Sequence, residues 1–314
     1  MKTLTSTVLA ALLLSVPGVA ARCLEPRVAD SLIVMFWNVE NFFDWTDSGF
    51  SSSDAEFSAE GARRWSRSRF NAKCNAIAKT IFAAADRYGA LPDAVCFAEL
   101  ENGLVLRRLI SGTSLSRAGY KVLHYDSPDP RGIDCGMIYR EHKLPLRRSR
   151  SCHIYDTAGA VMPTRDILLS EFDSLCILVN HHPSKLGGKS DRRQRAMLRL
   201  DSLRDSLTAQ GKRVLSLGDF NEDIWGAGGV GGGAGGARGL PHAVGTIKYN
   251  GAWEKIDGHI ADGFRAAREY IFEFAPLLTR DRAWGGMKPL RTYSGPRYLG
   301  GVSDHLPIVV VVYF

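Results

Sequence analysis

The chain has no Cys-x-x-Cys pair and no cysteine–histidine cluster at zinc spacing, which argues against a structural zinc site. It has no internal repeat and no linker-like stretch, so residues 22–314 are taken as one domain. Its longest apolar run, Val8 to Val19, is too short to span a bilayer comfortably. That run follows Lys2 and precedes the small residues Ala20 and Ala21, so residues 1–21 read as a secretory signal peptide and the product as secreted or periplasmic. A membrane anchor is the alternative. Cys23 would suit lipid attachment, but Arg22 before it does not. The glycine tract Gly226 to Gly239 lacks the Gly-Lys-Ser/Thr ending of a phosphate-cradling loop and reads as a surface insertion near the site rim.

A hydrophobic content of 45% in 314 residues supports a large core. Of the six cysteines, Cys96 and Cys176 lie in apolar runs and read as core, whereas Cys135 and Cys152 are placed to flank a hairpin and bridge. The net charge is +7, and about +6 without the signal, which suits an anionic partner or simply solubility. Strands are expected at Leu32–Trp37, Ala94–Ala98, Lys121–Tyr125, Gly136–Tyr139, Leu175–Asn180, Arg213–Leu217 and Pro307–Tyr313. Several are apolar throughout, as in sheets covered on both faces. Helices are expected at Arg63–Tyr88 and Asp191–Thr208. The second carries Met197, Leu200, Leu203 and Leu207 on one stripe, with Arg192, Arg193, Arg195 and Arg199 on a solvated face.

Polar groups collect where the apolar runs stop. Asn38 and Glu40 are two apart, hence on one face of a strand, and offer oxygens to Mg²⁺ or Ca²⁺; a turn capped by Asn41 is the alternative. Glu99 ends a strand as a metal ligand or a first-turn carboxylate, a role Glu101 can also fill. A strand delivers Asn180 and His181, and Pro183 ends it. His181 can donate to a phosphate oxygen or protonate a leaving group, and Lys185 adds positive charge. Asp219 and Asn221 can handle water and a phosphoryl oxygen, or form a turn. Asp257 pairs with His305 as an orienting carboxylate, which leaves Asp304 for metal; a loop hydrogen-bond network is the alternative.

Taken in order, these segments resemble the endonuclease/exonuclease/phosphatase superfamily over about residues 32–314, and within it exported bacterial members. The family includes deoxyribonucleases, abasic-site endonucleases, sphingomyelinases and inositol polyphosphate phosphatases. The resemblance rests on Gly218-Asp219-Phe220-Asn221, Ser303-Asp304-His305, Asn38 to Asp44, Ser127 to Asp134, Asn180 to Lys185, Gly245 to Tyr249, and Thr292-Tyr293-Ser294-Gly295. It implies an α/β fold, a four-layer α-β-β-α sandwich with two central mixed sheets. It implies Mg²⁺, or Mn²⁺ or Ca²⁺, at Asn38, Glu40, Glu99 and Asp304. His181, Asp219, Asn221, Asp257 and His305 would be catalytic, with Lys185 and Arg131 on substrate phosphate. Ala98 stands where the family usually has Gln, and Cys135 where an aliphatic residue is common. The expected chemistry is in-line attack of water on phosphorus, with one metal because the ligand set is small.

The leading expectation is a nuclease acting on nucleic acid, as a monomer without a stable protein partner. The alternative is a phosphatase or a sphingomyelinase-like phospholipid phosphodiesterase, for which Trp45, Trp65, Trp225 and Trp284 would supply an apolar rim. A non-catalytic binding module would require loss of Glu99, Asp219 or His305, and all three are present.

Overall fold

The computed structural model describes residues 30–185, 190–224 and 245–314. The expected signal, Cys23, Trp225 and the glycine tract lie outside them. In chain order the elements are β1 (Ser31–Phe42), α1 (Ser52–Glu56), α2 (Arg67–Tyr88), β2 (Ala94–Leu100), α3 (Gly103–Ser111), β3 (Tyr120–His124) and β4 (Asp134–Arg140). Then come β5 (Arg148–Cys152), β6 (Ile167–Glu171), β7 (Leu175–His181), α4 (Ser190–Ala209), β8 (Arg213–Asp219), β9 (Ile247–Tyr249), β10 (Ala252–Glu254) and β11 (Asp257–Asp262). The last are β12 (Ala266–Ile271), β13 (Leu278–Arg280), β14 (Met287–Pro289), β15 (Tyr293–Ser294), β16 (Arg297–Tyr298) and β17 (Ile308–Tyr313).

Two mixed sheets form the centre, ordered β12-β17-β1-β2-β4-β3 and β11-β8-β7-β6-β5. Alternation along each strand explains the layers. Val34 and Phe36 of β1, Cys96 of β2, Ile177 and Val179 of β7, Leu215 and Leu217 of β8, and Ile308 and Val310 of β17 pack together between the sheets. Their neighbours Ile33, Met35, Val95 and Phe97 face outward onto Phe70, Ile77 and Ile81 of α2 and Val105 and Leu109 of α3. On the other side Cys176, Leu178 and Val214 meet Leu200, Leu203 and Leu207 of α4. Each such side chain contributes about 1.5–3 kcal/mol by leaving water. These runs are therefore apolar at consecutive positions because both faces are covered, and the architecture is the expected α-β-β-α sandwich.

Helix α2 starts at Arg67, later than expected, because Ser66 caps it by accepting from the Arg69 N–H. Its other end is closed by Gly89 at φ 75°. The suggested Cys135–Cys152 bridge is not formed. Cys135 lies between the sheets and Cys152 on the far side of the second sheet against α4, and both are free.

Candidate active site

Strands β1 and β2 run parallel with Asn38 beside Ala98, and both change course there. Glu40, Asn41 and Glu99 take left-handed backbone, at φ 48°, 50° and 64°. Such residues cost of order 1–3 kcal/mol each and persist where surrounding bonds fix them. Here Glu40 N–H donates to Asn38 Oδ1 (3.0 Å) and Asn41 N–H to Glu99 Oε2 (2.8 Å). The turn separates Asn38 from Glu40, which were expected to share a face. Asn38 directs its amide nitrogen at Asp219 Oδ2 (3.1 Å) and, more loosely, at Glu99 Oε1 (3.5 Å), whereas its carbonyl oxygen is used within its own strand. Glu40 turns to Thr292 N–H (2.9 Å) and the Arg291 guanidinium (2.8 Å).

The second sheet delivers its groups through register. In parallel β7 and β8, His181 is opposite Asp219; in antiparallel β8 and β11, Asp219 is opposite Asp257. Three functional side chains therefore sit abreast at one sheet end. Close approach of β7 and β8 requires Gly218, since a Cβ there would meet Asn180 O at 2.5 Å. His182, one residue on, instead packs its ring edge-on to Phe220.

The approach to β17 closes the cluster. His305 Nδ1 bonds Asp257 Oδ2 at 2.8 Å, and its Nε2 lies 3.9 Å from both Asp219 Oδ2 and Asp304 Oδ1. Ser303 Oγ donates to Asn38 O (2.6 Å) and Trp37 Nε1 to His305 O (2.9 Å), which ties this segment to β1. His181 Nε2 stands 3.6 Å from Asp219 Oδ2 and 4.0 Å from Glu99 Oε1.

Burial sets different protonation states for these groups. Burial, then the neighbouring Asp257 charge, pushes Asp219 up to about 7. Burial and the charges of Arg165 and Arg131 hold His181 well below the ordinary histidine value, so its ring is neutral. For His305, burial acts downward but the Asp257, Asp219 and Asp304 carboxylates outweigh it, holding the imidazolium well above its usual range. One cleft thus contains a carboxylate poised near neutrality, a neutral imidazole and an imidazolium.

The remaining expected residues lie around this centre. Asn221, at φ 53°, donates from Nδ2 to His182 O (2.9 Å) and from its backbone to Asp219 Oδ1 (3.0 Å). Arg131 is half-exposed against Asp129 (3.5 Å). Lys185 is exposed and paired with Glu254 (2.9 Å), so its ammonium reaches a carboxylate at the rim. Arg193, placed on the solvated face of α4 by sequence, in fact binds Glu222 and Ser184 O. Of the four tryptophans offered as an apolar rim, Trp65 is fully buried and Trp45 packs on the core. Among the described residues only Trp284 stays largely exposed, at 63%. It lies over Gly251 in the β9–β10 turn, close to Lys248 and Lys288 around Asp281.

Three supporting cations escaped the sequence reading. Buried Lys73 of α2 donates to Thr292 Oγ1 (2.9 Å) and to Glu40 O; burial lowers it to about 8. Arg165 bridges Asp129 Oδ2 (3.0 Å) and His182 O (2.6 Å) from a buried position. Arg291 joins Glu40 to Asp304 (3.1 Å). Only Arg291 had a signal, by standing next to the Thr292-Tyr293 segment.

The donor set fits a hard divalent cation. Glu40, Glu99 and Asp304 all act on Lys73, burial and the Asp304 charge push Glu40 up, and the Cys74 thiol that also acts on Lys73 is packed into the core. Of the two close trios among the described residues, Asp219, Asp257 and His305 is accounted for by the His305–Asp257 hydrogen bond, and His124, Asp126 and Asp134, away from this cluster, by the His124–Asp134 contact at 3.0 Å.

The Endonuclease/Exonuclease/phosphatase family profile matches residues 33–227, more than half of the chain. Asp257, Asp304 and His305 lie beyond that stretch, and the fold brings them to it. No curated protein matches the sequence. Similar solved structures include a humanized D. rerio TDP2, at 15% identity over 91% of this chain and 100% of that one (TM-score 0.52). The human Nocturnin catalytic domain with bound sulfate anion is 17% identical over 91% and 94% (TM-score 0.52). A functionally unknown conserved protein from Enterococcus faecalis is 14% identical over 90% and 100% (TM-score 0.53). These likenesses show the shared fold, and with the profile match they establish that the chain belongs to the endonuclease/exonuclease/phosphatase family of metal-dependent phosphoric ester hydrolases.

Proposed function

We propose that this chain is an exported nuclease that hydrolyses phosphodiester bonds of nucleic acid. The observation that carries the chemistry is the convergence of His181, Asp219 and Asp257 abreast at one sheet end, with His305 on Asp257 at 2.8 Å and its Nε2 3.9 Å from Asp219. A base poised near neutral pH is the efficient choice for taking a proton from water. Asp219 accepts that proton as the water oxygen bonds to phosphorus and the opposite P–O ester bond breaks. Asn38 orients Asp219 through the 3.1 Å bond. Asp257 orients His305, whose Nε2–H faces the cluster as a charged donor for a phosphoryl oxygen. Neutral His181 supplies a further donor, and Arg131 lies close enough for its charge to act there. A divalent ion, Mg²⁺ by preference, would be held by Glu99 and Asp304 with Glu40 beside them, and supplies electrostatic stabilisation of the developing charge.

Nucleic acid is favoured by charge. The chain carries +7, and its exposed aromatics Tyr249 and Trp284 sit near Lys288 and the exposed Arg282, while the Lys248 side chain is buried on Asp281 beneath them. Aromatic faces interleaved with cations suit stacked bases on a phosphate backbone. The test incubates the chain with plasmid DNA, RNA, and sphingomyelin or phosphoinositide vesicles, each with Mg²⁺, Mn²⁺ or EDTA and with Asp219→Ala. Metal-dependent nicking lost in Asp219→Ala is expected. Headgroup release with intact nucleic acid would move the substrate to lipid, and silence on every substrate would reject the hydrolase reading. Export is tested by the N-terminal sequence of material recovered outside the cytoplasm, expected to begin at residue 22.

A further inference from the structure

We infer that the Arg291 guanidinium is a resident cation that limits the active site to one divalent ion. The inference rests on the metal-site reading above and concerns how many ions the site takes. Arg291 places Nε and Nη2 on Glu40 Oε1, at 2.9 and 2.8 Å, and Nη2 on Asp304 Oδ2 at 3.1 Å. It thus lies between two carboxylates contributed by different ends of the chain. The other Glu40 oxygen accepts the Thr292 N–H at 2.9 Å. Both Glu40 oxygens and one of Asp304 are therefore engaged. Glu99 Oε1, 3.5 Å from Asn38 Nδ2, and Asp304 Oδ1, 3.9 Å from His305 Nε2, are left with only long contacts.

Two such oxygens suit one small hard ion, which commonly takes one or two carboxylates and completes its shell with water and phosphate oxygens. A second ion between Glu40 and Asp304 would have to displace the guanidinium. Arginine suits the task because its charge is permanent and its planar fork spans two carboxylates.

The test counts bound Mn²⁺ by electron paramagnetic resonance on the full chain. Wild type and Arg291→Lys are expected to bind one ion, and Arg291→Met two, because it keeps the stem and removes the charge. The side chain is half-exposed, so the fold tolerates the change, which circular dichroism checks. Two ions in wild type, or one in Arg291→Met, overturn the inference while leaving the metal site standing. No bound Mn²⁺ in wild type overturns both.

Discussion

Replacing Asp219 by Asn should stabilise the protein while silencing it. Burial and Asp257 raise this carboxyl from 3.8 to about 7. A group whose proton is held more tightly in the folded state favours folding fully below its unfolded value. That advantage is lost as pH rises through the folded value. The difference of roughly three pH units, at about 1.4 kcal/mol each, means that ionised Asp219 costs the native state about 4 kcal/mol at pH 8 relative to pH 3. Asn keeps the shape without the charge. It can still accept one of the two bonds now reaching the carboxylate, from Asn38 Nδ2 (3.1 Å) and Asn221 N–H (3.0 Å), and losing the other costs about 1 kcal/mol. Asp219→Asn should therefore be more stable by about 3 kcal/mol at pH 8, roughly a 6 °C rise in Tm for a chain of this size. The gap should shrink through pH 6 and vanish or reverse near pH 4. Thermal unfolding in EDTA across that range measures it. A variant no more stable than wild type at pH 8, or a gap that does not change with pH, would refute the burial argument for Asp219.

Activity should follow the same group. Log kcat/KM is expected to rise with pH toward about 7 as Asp219 ionises, and added divalent ion should move that limb to lower pH. Removing His305 takes the partner from Oδ2 of Asp257, a buried carboxylate whose Oδ1 already has none. His305→Ala should lose about 3–5 kcal/mol of stability along with activity, read by urea unfolding at pH 7. Gly218→Ala forces a Cβ against Asn180 O and should cost about 1–3 kcal/mol. It should also lower kcat more than KM, because the strands it pushes apart carry His181 and Asp219. If nucleic acid is the substrate, binding of DNA to Asp219→Asn should weaken with salt along a log–log slope of roughly −3 to −5, as for a few phosphate contacts. A flat dependence in filter-binding assays would count against that substrate.

All seven expected strands exist; most are runs of apolar residues held between layers, a requirement that is written locally, whereas β3 is an edge strand with only Tyr120 and Leu123 buried. Strand β5 escaped because it is an edge strand, Arg148 to Cys152, with alternating arginine and serine and little apolar content. Helix α3 has only nine residues, and Arg107 and Arg108 in its middle interrupt the stripe Val105, Leu106 and Leu109. At the site, the ends of β7 and β8 and the approach to β17 were legible because His181 and Asp219 close readable strands and His305 stands just before one. Asn38 and Glu40 were misjudged because the two-residue rule assumes extended backbone, and Glu40, Asn41 and Glu99 leave it. Lys73 and Arg165 were invisible because a lysine within a helix, or an arginine between strands, becomes meaningful only when distant carboxylates and carbonyls converge on it.

Strand β17 lies between β12 and β1, pairing along Ser31–Phe36 on one side. The segment just ahead of it brings Asp304 and His305. On a ribosome, β1 meets its parallel partner β2 early, but its antiparallel partner β17 arrives some 270 residues after it. A polypeptide interrupted between residues 219 and 305 contains Asp219 and Glu99 yet lacks the imidazole that completes their cluster. The cluster is consequently completed only when this last segment has been made and has paired beside β1.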